Sequence, residues 1–279
     1  MKLVLAGVPL GNPGDASARL ISAIKSASII AAEDSRRFQR LCQDLNVATD
    51  AKVLSFFEGN EDERTEQLLK ELQNGAEVLV VTDAGMPTVS DPGFKLVRAA
   101  VEAKINIEVI PGPSAVTTAL ALSGLPTDRF CFEGFAPRTQ GAREKFFENL
   151  KYEARTIVFF EAPHRLLETL ESAINILGAD RKAALCREMT KTYEETVRGT
   201  LGEIQSWANS KEILGEITIV IDGASEGAKE ISQHAIIEAV RKLEEVGMER
   251  KEAIAAVSKE LDLPKREVFD AMVAAKNLQ

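Results

Sequence analysis

The chain has 279 residues, 45% hydrophobic and 28% charged, with a net charge of −9. The length fits two domains with room for a small third. No apolar run nears the roughly 20 residues that span a bilayer, and the acidic balance argues against a nonspecific nucleic-acid coat. Three scattered cysteines (Cys42, Cys131, Cys186) and two histidines (His164, His234) offer neither a disulfide framework nor a metal-ligand set. A reduced, cytoplasmic setting is therefore expected, with no metal and no membrane segment. The opening residues turn too early for a secretory signal.

Residues 2–6 read as a first buried strand, closed by the glycine- and proline-rich turn 7–15. Helical spacing follows over 18–25, then a strand over 28–32 that ends at Glu33-Asp34-Ser35-Arg36. A helix over 39–45, a strand over 52–57 and a polar-faced helix over 62–74 come next. A strand over 78–82, a helix over 92–103 and a strand over 107–110 complete the first half. Short apolar strands between amphipathic helices indicate an α/β unit with a mostly parallel sheet.

A helix over 115–123 leads into a second α/β region. Strands are expected at 129–133, 156–160, 183–187, 194–198 and 216–222, with helices at 142–149, 166–177 and 202–209. These strands are closer together, which suggests a mixed sheet. Residues 223–228 are small and polar and read as a linker. Helices over 231–246, 251–261 and 265–276 then form a tail, and Pro264 near the last helix start gives it a helix-turn-helix look. The expected domains are 1–112, 113–224 and 225–279.

Several turn-rich segments follow strands. The turn 7–15 lets backbone approach a ligand, but its spacing is neither a dinucleotide fingerprint nor a P-loop, and a plain strand-to-helix turn would look the same. Segment 82–93 spends twelve residues where a simple turn needs about 2–6, which favours a structured ligand loop. There Asp83 could accept hydrogen bonds from hydroxyls or an amine, and Ala84 and Gly85 leave room. Ser114 can cap the next helix, whose N-terminus would also suit an anion. Glu33 and Asp34 set carboxylates beside two arginines, Arg36 and Arg37, at a ligand-facing strand end, or simply complement a helix dipole. Lys191, if desolvated, could have a lowered pKa and act as a base, or lie in a solvated connection. Residues 134–155 hold five basic and three acidic residues. Arg138, Arg143 and Lys145 there could touch phosphates, or only form a solvated helix face. Turn-rich segments after several strands in two adjacent α/β units predict a cleft at the strands' carboxyl edges.

The ordered set of motifs around Gly7-Val8-Pro9-Leu10-Gly11-Asn12, Ala32-Glu33-Asp34-Ser35-Arg36, residues 82–93, Pro111-Gly112-Pro113-Ser114-Ala115, residues 124–130, Glu133-Gly134-Phe135, His164-Arg165-Leu166 and Arg187-Glu188-Met189-Thr190-Lys191 resembles one family over nearly the whole chain. That family is the bacterial 16S ribosomal RNA cytidine 2′-O-ribose methyltransferases I, in the tetrapyrrole-methylase-like class of S-adenosylmethionine-dependent enzymes. The resemblance implies two α/β domains with a cofactor cleft between them, a small helical C-terminal domain and a homodimer. It places cofactor contacts at Pro9, Leu10, Asp83, Ala84, Gly85, Val89, Ser114, Ala115, Glu161 and Met189. Thr82 and Met86 depart from the commoner Ser and Thr, and Ala162-Pro163 precedes His164 where relatives can have Ser-Thr.

The substrate so implied is a cytidine 2′-hydroxyl in the decoding region of small-subunit ribosomal RNA, free or in the assembled subunit. A ribose hydroxyl is a weak acid, so a positioned base should help. The candidates are Glu33, Asp34 and Lys191. Arg36, Arg138, Arg143, Lys145 and Arg187 are the candidate RNA contacts. The tail, with nine basic and eleven acidic residues, is no electrostatic clamp. Two other readings stay open: methylation of a tetrapyrrole precursor, and a non-catalytic RNA-binding protein.

Overall fold

A computed structural model describes residues 1–224, 233–261 and 263–276. In the first half, β1 (Lys2–Ala6), β2 (Ile29–Ala32), β3 (Lys52–Ser55), β4 (Glu77–Val81) and β5 (Ile107–Ile110) form a parallel sheet in the order β3-β2-β4-β1-β5. Alternate residues of each central strand point to opposite faces, and both faces are buried. Val4, Ala6, Ile30 and Leu79 pack with Leu20 and Ile24 of α1 (Ala18–Ser26) and Phe38 of α2 (Ser35–Asp44). Leu3, Leu5, Ala31 and Val80 pack with Leu68 and Leu72 of α3 (Glu61–Gln73) and Leu96 and Ala100 of α4 (Phe94–Glu102). Continuous apolar strands without polar alternation are the sequence sign of this covering on both sides.

Helix starts follow local chemistry. The Ser17 hydroxyl accepts the Leu20 N–H (3.0 Å) and opens α1. The Asp34 carboxylate accepts the N–H groups of Arg36 (2.7 Å) and Arg37 (3.4 Å) and opens α2.

After α5 (Ala115–Ser123), the second half contains β6 (Phe130–Phe135), α6 (Gln140–Leu150), β7 (Thr156–Glu161), α7 (Leu166–Leu177), β8 (Lys182–Arg187), β9 (Glu195–Thr200), α8 (Leu201–Asn209) and β10 (Ile217–Ile221). The strand order is β6-β7-β10-β8-β9. Only β6 and β7 run parallel, so the sheet is mixed. The last strand in sequence is thus the central one, with all five residues buried. Phe147, Phe159 and Leu170 fill the side under α6, α7 and α8, while Val116, Ala119 and Leu120 of α5 cover the other. Both sheets belong to one compact unit, Met1–Gly223.

Ala224–Gln279 make a second unit. In it, α9 (Gln233–Glu245), α10 (Arg250–Glu260) and α11 (Lys265–Lys276) pack Ile236, Val240, Val257, Val268 and Met272 together. Residues 225–228 of the expected linker and 231–232 of the expected first tail helix lie outside the described residues. No helix among the described residues is long and apolar enough to cross a membrane.

The junction of β1 and β5 depends on two glycines. A Cβ on Gly112 would sit 2.8 Å from the Gly7 carbonyl carbon and oxygen, and one on Gly7 would sit 2.7 Å from the Gly112 Cα. Backbone meets backbone here, so nothing flexible can yield. Gly112→Ala is expected to destabilise the first sheet by about 1–3 kcal/mol, read as a lower urea midpoint with an unchanged slope.

Candidate functional site

In the first sheet, β1 and β4 are neighbours whose connections leave in opposite directions. β1 leads through α1 to β2, and β4 leads through α4 to β5. Such a switch point opens a crevice at the strands' carboxyl ends. The two loops there are tied to each other: the Val8 N–H donates to the Gly85 carbonyl (2.9 Å) and the Gly85 N–H to the Val8 carbonyl (3.2 Å). Gly85 has φ +77°, a backbone that glycine adopts without a Cβ penalty.

The second sheet roofs this crevice and leaves a cleft of about 390 Å³. That is within the size range of small-molecule sites. Of the residues expected to hold a cofactor, Leu10, Asp83, Ala84, Gly85, Val89, Ser114, Ala115, Glu161 and Met189 line this cleft, whereas Pro9 does not. The loops meet across it, since the Asn12 N–H donates to the Thr190 hydroxyl (3.2 Å) and Gly11 leaves space for the Lys191 stem.

The cleft's polar wall is acidic. Glu33 Oε2 accepts the Asp83 N–H (3.0 Å), and Asp83 Oδ1 accepts the Asp34 N–H (3.1 Å). Asp83 also pairs with Arg37 (3.3 Å). Burial raises the pKa of both Glu33 and Asp83, the pull of Arg37 on Asp83 notwithstanding. Burial and the neighbouring Glu33, Asp83 and Glu216 charges push Asp91 up to about 7. Glu161 is fully buried, its carboxylate accepting from Arg165 (2.5 Å), Thr169 Oγ1 (2.5 Å) and the Ala162 N–H (2.7 Å).

The three candidate bases separate in this setting. Asp34 is the N-cap of α2, and its hydrogen bonds with Arg36 hold its pKa below the usual carboxylate value. Lys191 departs from the expected lowered pKa. Burial does act to lower it, but hydrogen bonds to Glu188 (2.9 Å) and Glu216 (3.0 Å) outweigh burial and raise it. It is held as a cation, the wrong state for accepting a proton. Glu33 lines the cleft with a raised pKa, which suits a base.

The candidate RNA contacts also separate. Arg36, Arg138 and Lys145 are exposed. Arg143 is 3% exposed. Its guanidinium donates to Ser172 Oγ (3.3 Å), the Arg138 carbonyl (3.2 Å) and Glu168 (3.1 Å), so it ties α6 to α7 and is not available to a phosphate. Arg187 donates to the Leu214 carbonyl (2.9 Å) and Glu195 (3.2 Å), which commits two of its guanidinium nitrogens to the loop before β10 and to β9.

Two parts of the cleft wall had no assigned role from sequence. Arg37 follows Arg36 and reaches Asp83, and the run Gly215-Glu216-Ile217-Thr218 enters β10 along the wall. Gly215, at φ +92°, was the available sign, because a Cβ there would overlap the Glu188 side chain. Among the described residues, no group of three or more His, Cys, Asp or Glu side chains could hold a metal ion.

A sequence profile of the Tetrapyrrole (Corrin/Porphyrin) Methylases matches residues 2–205. The chain is 45% identical over 276 residues to the "Ribosomal RNA small subunit methyltransferase I" of Mycobacterium tuberculosis (strain ATCC 25618 / H37Rv), covering 99% of this chain and 95% of that protein. It is 38% identical over 282 residues to the protein of the same name from Bacillus subtilis (strain 168), covering 96% and 93%. A solved uroporphyrin-III C-methyl transferase from Thermus thermophilus, complexed with S-adenyl homocysteine, shares the fold with a TM-score of 0.55 at 17% identity, covering 79% of this chain and 96% of that one. The chain belongs to the tetrapyrrole (corrin/porphyrin) methylase family and, within it, to the ribosomal RNA small subunit methyltransferases I.

Proposed function

We propose that the protein transfers a methyl group from S-adenosylmethionine to the ribose 2′-hydroxyl of a cytidine in the decoding region of 16S ribosomal RNA. The observation that carries this reading is the acidic cleft at the β1/β4 switch point, in a chain 45% identical over 276 residues to a named ribosomal RNA methyltransferase. The residues present suit the cofactor. Its sulfonium and ammonium are cations, and Glu33, Asp83, Asp91 and Glu216 line the cleft. Its nucleoside needs apolar walls, which Leu10, Val89, Met189 and Ile217 supply. When bound, S-adenosylmethionine supplies a methyl group already activated by positive sulfur.

The chain's part is to hold the acceptor oxygen in line and to deal with its proton. Glu33 is placed to orient or deprotonate the hydroxyl. Lys191, held as a cation beside Glu216 at the cleft rim, balances charge there. Asp34 serves by fixing the start of α2, whose first turn carries Arg36 and Arg37. Exposed Arg36, Arg138 and Lys145 are the phosphate contacts in this reading. The protein acts as a cytoplasmic homodimer on ribosomal RNA or the assembled small subunit.

Radiolabelled S-adenosylmethionine, incubated with unmethylated small subunits, free 16S RNA and a tetrapyrrole precursor in parallel, tests the assignment. Label at the 2′-oxygen of one cytidine is the expected result. Label on the tetrapyrrole alone would overturn the substrate and leave the cleft assignment standing.

A further inference from the structure

We propose that Asp91 is the counter-charge for the methyl donor's sulfonium, ionised while the donor carries its positive charge and protonated once the methyl group has left. This rests on the S-adenosylmethionine reading of the cleft.

The first observation is the carboxyl group itself. Asp91 lines the cleft and is half-buried, yet among the described residues no hydrogen bond or ion pair reaches it. The ionisable groups that act on it are all acids: Glu33 at the end of β2, Asp83 at the end of β4 and Glu216 at the start of β10. The nearby cations are committed elsewhere. Arg37 pairs with Asp83, Lys191 with Glu188 and Glu216, and Arg165 with the buried Glu161. A half-buried carboxyl with only like charges for company is expensive to ionise, which is why it holds its proton up to about pH 7. A cation placed in the cleft reverses that balance.

The second observation is the backbone that aims it. Thr88 has φ +75° and Ser90 φ +62°, and Gly93 has φ +127°. Left-handed backbone at a non-glycine residue is strained, and such strain persists where surrounding structure enforces it. Here the enforcement is visible. The buried Glu61 carboxylate accepts the N–H groups of Gly93 (2.9 Å) and Lys95 (3.3 Å), and the Thr88 N–H donates to the Pro92 carbonyl (3.3 Å). The turn is clamped from behind, and it presents Asp91, together with Val89 and Ser90, to the cleft.

The third consideration is charge balance. In the transfer, the carbon–sulfur bond breaks with its electron pair staying on sulfur, and the carbon–oxygen bond forms. The sulfonium becomes a neutral thioether and the hydroxyl gives up one proton. A carboxylate stabilised by the sulfonium loses its reason to stay ionised at the moment that proton is released, so the proton that Glu33 takes from the hydroxyl passes on to Asp91, whose charge Glu33 already acts on. Charged donor plus carboxylate becomes neutral product plus carboxylic acid, and the cleft returns to its starting charge. Tight hold on the donor is thereby confined to its methylated form.

Isothermal titration calorimetry of the whole protein at pH 6.5, in two buffers of different ionisation enthalpy, tests this without turnover. S-adenosylmethionine should displace about 0.8 proton on binding, the protonated fraction of a group with a pKa near 7. S-adenosylhomocysteine, which differs only in lacking the methyl group and its charge, should displace almost none. Donor affinity should rise nearly tenfold per pH unit between 5.5 and 6.5 and level off above 7, with product affinity flat. D91N, checked for folding by circular dichroism, should abolish the release and most of the preference for donor over product. Equal release by both ligands overturns the proposal in the wild-type protein alone. Release that persists in D91N overturns it too, and moves the role to Glu33 or Asp83. If both ligands bind without proton release, only the role of Asp91 falls; if neither binds, the cofactor reading falls with it.

Discussion

Asp83→Ala is expected to weaken S-adenosylmethionine binding by about 10²-fold, or ~2.7 kcal/mol, and to lower kcat/KM at least as much. The size follows from how much converges on this carboxylate. It accepts the Asp34 N–H at the mouth of α2 and pairs with Arg37, while its own N–H is held by Glu33. Truncation leaves the Asp34 N–H unpartnered in the wall, releases the exposed Arg37 guanidinium to solvent and removes an acceptor that lines the cleft. Charge-assisted hydrogen bonds of this sort are worth about 1.5–3 kcal/mol each. Asp83→Asn keeps the shape and an acceptor for Asp34, so its loss should be nearer tenfold. Calorimetric titration of both variants checks the pair. Equal, small losses would mean that Asp83 only braces the loop.

Glu161→Ala is expected to destabilise the protein by about 3–5 kcal/mol, the cost of stranding one member of a buried ion pair. Its carboxylate is fully buried and collects Arg165, Thr169 and the Ala162 N–H at the end of β7. Arg165, only 15% exposed at its side chain, would keep a single acceptor, the Ala136 carbonyl. That loss is a large share of the 5–15 kcal/mol that holds a typical domain folded. Urea unfolding followed by the fluorescence of Trp207, the sole tryptophan, which packs against the same core, reports it directly. The double variant Glu161→Ala/Arg165→Ala should be milder than the sum of the singles, because neither charge is then left alone. A strictly additive result would remove the pair from the account of stability.

Sequence carries much of this architecture and part of its chemistry. Strands such as Val78-Leu79-Val80-Val81 have no polar alternation, which is the mark of a sheet covered on both faces, and they are so covered. The length of segment 82–93 exposed it as more than a turn, and it forms the floor of the cleft. What sequence concealed was long-range pairing. Arg143 looked like a solvated cation until α7 supplied Ser172 and Glu168, 29 and 25 residues away. Lys191 looked like a free amine until β10 delivered Glu216 from 25 residues downstream. The isolation of Asp91 was hidden for the same reason. A charge is assigned its state by whichever neighbours the topology brings, and local spacing does not list them.

The central strand of the second sheet is the last one to be made. While the chain is being translated, β6, β7, β8 and β9 can all be complete before Ile217–Ile221 exists to join β7 to β8. The residues just before and within that strand also form part of the cleft wall. A nascent chain of about 200 residues therefore has its first sheet and both switch-point loops but lacks the part of the cleft wall that residues 215–218 supply. At about 5–20 residues per second, the first sheet waits several seconds for its lid. The cleft is completed only with the final strand, so that an unfinished or prematurely terminated chain lacks one wall of the methyl-donor site.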